Sequence, residues 1–186
     1  MRVLTHILVL TLALLFVGCE ERTEETDSGG VLLEVEFVDS IFRVGVNDTS
    51  LVSIPTVTID SIVARPGGST SELMNVQLDV IEVTFSRADT GTRVPLPFVF
   101  NVIGTVPVGG TLSYNDLPIM SSDQLRGEPL GDLLFENGAI DRETGASTIK
   151  LNVTVRVFGR TIGGSDISSN PRTQTIEFVP SLATTF

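Results

Sequence analysis

Apolar and polar side chains alternate with a period of two along most of this chain. Val31, Leu33, Val35 and Phe37 share one parity, against Leu32, Glu34, Glu36 and Val38 on the other. Phe42, Val44 and Val46 continue the alternation, and Val57 and Ile59 sit between Thr56, Thr58 and Asp60. Ile149, Leu151, Val153, Val155 and Val157 form the cleanest run, interleaved with Lys150, Asn152, Thr154 and Arg156. Such alternation predicts strands with one face buried. Val76, Leu78 and Val80 change parity to Ile81, Val83 and Phe85, which predicts a β-bulge inside one long strand. Val94 to Val102 alternates around Pro95 and Pro97, a pattern suited to an edge strand or a strand entry. Ile176 and Phe178 close the series.

Turn signals separate the runs: Pro66-Gly67-Gly68, Asp89-Thr90-Gly91, Gly109-Gly110, Asn137-Gly138 and Gly163-Gly164. One short helix is expected, capped by Ser121 or Ser122 and running through Asp123 to Leu125, with another turn near Leu130 to Phe135. About eight strands without alternating helices predict an all-β, antiparallel β-sandwich. "Immunoglobulin-like" describes its architecture only, because the chain has no Trp and no Cys pair.

Composition narrows the function. The chain has 186 residues, a formal charge of −11, one His and one Cys. That length fits a single domain with a real core. The acidic balance argues against a nucleic-acid backbone as partner.

The first residues change the picture. Arg2 and the amino terminus make a positive start, and Ile7 to Val17 is apolar except for Thr11. The run is too short for a bilayer, which takes about 20 residues, and suits a signal-peptide core. Phe16-Val17-Gly18-Cys19 follows at once. This stretch resembles the lipobox of bacterial lipoproteins, departing from it at Phe16, where Leu is usual. The resemblance implies that residues 1–18 are removed, that Cys19 is lipidated, and that its new amine is acylated. Glu20, in place of Asp, points by the same resemblance to the outer membrane, facing the periplasm or the cell surface. Residues 19–30 would then be the lipidated Cys and an acidic tether without any apolar residue after Cys19, and residues 31–186 one domain. The processed chain would have no histidine and a charge of −12, from eleven basic and twenty-three acidic side chains.

Loss of His6 removes the imidazole that a Ser-His-Asp triad needs. Zinc and haem sites lose their usual ligands with it, and no cofactor is expected. Ser147-Thr148-Ile149-Lys150 resembles the S-x-x-K motif of penicillin-binding proteins and β-lactamases. It enters a strand, however, where positions three apart point to opposite faces. Asp89-Thr90-Gly91-Thr92 resembles the catalytic motif of aspartic proteases, which implies a dimeric retropepsin-like enzyme using Asp89. The same residues suit a hairpin loop. Residues 136–145 resemble a hairpin corner of extracellular bacterial β-domains and cadherin-like repeats. There Asp132, Glu136, Asp141 and Glu143 are weak calcium candidates, set against a reading of two tight turns. The arginines are scattered and are expected to solvate outer strand faces and to pair locally. The expected protein is therefore a non-enzymatic, lipid-anchored domain that binds or supports an envelope protein or a glycan. Calcium-dependent adhesion and aspartic proteolysis are its alternatives.

Overall fold

The computed structural model describes residues 30–182. Cys19, the apolar run before it and the acidic stretch up to Gly29 lie outside the described residues. Nine strands follow in chain order: β1 (Val31–Asp39), β2 (Arg43–Gly45), β3 (Val52–Val63), β4 (Val76–Arg87), β5 (Phe98–Val106), β6 (Thr111–Met120), β7 (Ile149–Thr161), β8 (Asp166–Ser168) and β9 (Arg172–Val179). They form two sheets, an all-β arrangement of the sandwich or half-barrel kind. The smaller sheet has the order β1-β3-β6, and the larger has β2-β9-β7-β4-β5, with β8 paired to β7. All pairings between these strands are antiparallel except β2 with β9.

Side-chain parity sets which face is buried. Val31, Leu33, Val35 and Phe37 of β1 turn inward, as do Ile149, Leu151, Val153, Val155 and Val157 of β7. They meet Ile54, Val57 and Ile59 of β3 and Val76, Leu78, Ile81 and Val83 of β4 in one core. Each fully buried aliphatic side chain contributes about 1.5–3 kcal/mol. The parity change in β4 is a true bulge. Leu78 pairs with Gly159 and Val80 with Phe158, so two steps on β4 oppose one on β7. The extra residue returns Ile81 and Val83 to the core side.

Two prolines expected at an edge or an entry prove to be an entry. Pro95 and Pro97 precede β5, which pairs only with β4 within its sheet. The expected helix is α1 (Ser122–Arg126), with Ser121 as its cap in a capping box with Gln124. Residues Leu130–Leu133 form a 3₁₀ turn.

The strands give the domain two distinct ends. The chain enters β1 beside Val63, and that end gathers residues 62–75, the β5–β6 turn and the β7–β8 turn. Strand β3 spans the twelve residues from the opposite end up to it, about 40 Å at 3.3 Å per residue. The opposite end holds residues 88–97 and the long connection of residues 121–148.

Candidate functional site

The densest polar cluster lies at the end remote from Gly30, where residues 88–97 meet residues 121–148. Strand β4 delivers Arg87 at its last position, opposite Leu151 of β7. The side chain is only 3% exposed. Its Nη2 donates to Asp141 Oδ2 at 2.7 Å, its Nε donates to Asp89 Oδ1 at 2.6 Å, and its Nη1 donates to the Arg93 carbonyl at 3.3 Å. Burial of a guanidinium in this way is tolerated only when its donors are paired. The expectation that arginines lie on solvated faces fails here. The reason is that a buried carboxylate waits for Arg87 across the chain.

Asp141 is fully buried and makes an Asx-type turn on itself. Its Oδ1 accepts from Glu143 N at 3.1 Å, and its Oδ2 accepts from Thr144 Oγ1 at 2.7 Å. Arg93 Nη2 adds a donor at 3.3 Å. Burial alone would push this carboxyl up. The Arg87 guanidinium, the Thr144 hydroxyl and the Glu143 amide outweigh it and hold the group down at about 2. Asp132, equally buried, accepts from Arg93 Nη2 at 2.8 Å and from Arg142 N at 3.2 Å. Glu143 reaches back to the other loop. Its Oε1 accepts from Thr92 N and Thr92 Oγ1, and its Oε2 accepts from Arg93 N. These bonds, the Thr92 hydroxyl first, hold Glu143 below the usual carboxylate range.

Asp89 closes the loop it begins. Its Oδ1 accepts from Gly91 N at 3.0 Å and its Oδ2 from Lys150 N at 2.8 Å. Burial opposes its ionisation, yet the Arg87 bond and the two amides keep it below the ordinary range. An aspartic-protease dyad instead shares one proton between two carboxylates. Gly91 is required by a close approach, because a Cβ there would sit 2.4 Å from the Arg87 guanidinium.

Three of the four calcium candidates, Asp132, Asp141 and Glu143, therefore do come together, but around Arg87, Arg93 and Arg142. Glu136 is exposed in the turn Phe135–Asn137 and lies outside this network. Among the described residues, no group of three or more His, Cys, Asp or Glu side chains is placed to hold a metal ion. Ser147 is exposed just before β7, and Lys150 is exposed on the outer face of that strand. The turn after β7 contains Gly163 and Gly164, the latter at a φ of 97°.

Sequence reasoning missed Arg87, Arg93 and Thr92 as members of the cluster. The turn chemistry of Asp89-x-Gly91 and Asp141-x-x-Thr144 was visible, but apart from Asp89 beside Arg87 no local signal marks the arginines, whose buried partners Asp132 and Asp141 lie 39 to 54 positions away. Chemically, the arrangement is a clamp: five carboxylates, the exposed Glu128 at 3.3 Å from Arg93 among them, and three guanidinium groups tie two loops to the ends of β4 and β7.

A second clamp joins the chain's late strand to the same connection. Asn47 Nδ2 donates to the Pro180 carbonyl at 2.7 Å and to the Leu133 carbonyl at 3.4 Å, and its Oδ1 accepts from Phe135 N at 3.3 Å. Among the described residues, no helix is long and apolar enough to cross a membrane. Comparison with known proteins names no relative: no family model, no curated protein and no solved structure matches this chain.

Proposed function

We propose that this chain is a lipid-anchored envelope protein: a non-enzymatic, immunoglobulin-like β-sandwich held to the outer membrane through Cys19. Its task is to bind or support an envelope protein or a glycan. The observation that carries the reading is Phe16-Val17-Gly18-Cys19, set directly after an eleven-residue apolar run and containing the chain's one cysteine. Acyl chains on that cysteine hold a protein at a bilayer by about 0.8 kcal/mol per buried CH₂.

The domain's layout supports the same reading. The chain enters at one end, and the clamped loops stand at the other, where an anchored protein meets its partners. Buried, mutually satisfied charges give that end a fixed surface, which suits recognition better than a mobile loop does. The test is Cys19→Ala in the native cell envelope, combined with metabolic labelling by a fatty-acid probe. The variant should leave the membrane fraction and lose the label. A variant that stays in the membrane, or an unaltered chain that takes no label, ends the proposal.

A further inference from the structure

The edge of a sheet exposes unpaired backbone groups, and folded proteins guard such edges with charges, prolines, bulges or short length. This fold has four: β1 and β6 end the smaller sheet, β2 and β5 the larger. Three of them are guarded. β1 exposes Glu34 and Glu36, and the Asn170 amide donates to its Leu33 carbonyl from outside the sheet. β6 contains Pro118 and also Asp116, at a φ of 53°. β2 has only three residues.

β5 is guarded least. Residues 94–115, which include the whole strand, contain no charged side chain, and Pro95 and Pro97 lie before the strand rather than in it. On its outer face Val99 is 56% exposed and Ile103 98%. A register shift, where Asn101 to Gly104 opposes Val80 to Leu78, interrupts its pairing with β4. Among the described residues, one hydrogen bond reaches β5 from a segment other than β4: the Tyr114 hydroxyl donates to the Ile103 carbonyl at 3.3 Å. Alternate residues of an antiparallel strand turn their amides and carbonyls away from the partner they have. The far side of β5 thus offers a row of such groups. Phe98, Phe100 and Val102 pack against the core from this edge and stay half-buried.

We infer that β5 is a self-association edge: it pairs antiparallel with β5 of a second copy, so that the two larger sheets join into one across a two-fold axis. Charge selects the second copy as the occupant. The chain carries a formal charge of −11, and in a two-fold contact the same surface meets itself. An edge such as β1 would set carboxylates opposite carboxylates, which destabilises a sheet. β5 is the long edge on which two acidic copies meet without that repulsion. A foreign strand is under no such constraint, since it can bring bases to the acids of β1. The pairing also preserves the faces. In an antiparallel register centred on a residue, Val99, Asn101 and Ile103 of both copies share one face, and Phe98 and Phe100 gain cover on the other. The inference stands independently of the lipid anchor.

The test weighs the full chain in a non-ionic detergent by light scattering, with the detergent contribution subtracted. A mass of two copies is expected. Val99→Lys combined with Ile103→Lys places like charges on both sides of the two-fold axis, at positions exposed enough for the single copy to keep its fold. Self-association should weaken by about tenfold or more, with an unchanged circular dichroism spectrum. In the unaltered chain, amide exchange in β5 should slow as concentration rises, while exchange at the β1 edge does not change. A mass of one copy up to about 100 µM overturns the proposal. So does a folded lysine variant that keeps the mass of two copies. Amides of β5 that exchange at a rate independent of concentration, or are protected only when a different protein is added, overturn it as well.

Discussion

Arg87 and Asp141, 54 positions apart in the chain, form a 2.7 Å ion pair in which neither side chain is more than 3% exposed. The pair links the last residue of β4 to the turn that precedes β7, and Asp89 and Arg93 join it from a third segment.

Breaking that pair from one side leaves a buried charge alone. Arg87→Met should destabilise the domain by about 3–5 kcal/mol. The measurement is the urea unfolding midpoint at neutral pH. The double variant Arg87→Met with Asp141→Asn should recover part of the loss. A cost below about 1 kcal/mol for the single change would mean that the pair is not buried as described.

Stability should depend on acid in a defined window. The Asp141 carboxyl lies at about 2 in the fold, against an ordinary value of 3.8. The unfolded chain therefore binds a proton more readily than the folded one, and stability rises with pH across this range. The contribution is complete above about pH 4 and is lost as pH falls through 2, with a size of about 2 kcal/mol. Asp141→Asn should flatten the pH profile between those limits in urea titrations. An unchanged slope would remove Asp141 as its source.

Gly159 faces the β4 bulge at a distance that admits no side chain. A Cβ there would lie 2.3 Å from the Gln77 carbonyl oxygen, which is backbone and cannot rotate away. Gly159→Ala should cost about 1–3 kcal/mol by overpacking. Gly67→Gln, with open space around it but a φ of 79°, provides a contrast in which only backbone strain acts. Thermal melts of the two variants separate the effects. Equal melting of Gly159→Ala and the unaltered chain would contradict the close approach.

Asn47 holds the remote end together through three backbone groups on two segments. Asn47→Ala should cost about 0.5–1.5 kcal/mol, since it removes hydrogen bonds made by an exposed side chain. Hydrogen exchange at the Phe135 amide should speed up well before exchange in β7 changes. Uniform acceleration across both would show that Asn47 does not act locally.

How far each element was legible follows from how local its signal is. β1 and β7 bury strictly alternating aliphatic residues, and the sequence displays that without help. The β4 bulge was legible because an extra residue shifts the parity of everything after it. β6 was not. Leu112 and Tyr114 have one parity and Leu117 and Ile119 the other, and the break falls at Asp116, whose φ is 53°. Pro118 further masks the strand, and its partner Ser53 lies far off in sequence. The acidic candidates were visible as types, and three of them converge. Their arginine partners were not visible, because an ion pair between distant segments leaves no periodicity.

The direction of β1 has a mechanical consequence. The strand begins at the entry end and runs towards the remote end, antiparallel to β3 in seven successive register pairs and an eighth beyond a register shift at Phe37–Asp39. Antiparallel ladder bonds lie perpendicular to the strands. A pull on the chain at Gly30, resisted at the far loops, therefore acts along β1 and strains its bonds to β3 together, in shear. The domain meets such a load with the whole ladder, where a strand entering from the opposite end would have peeled away one bond at a time.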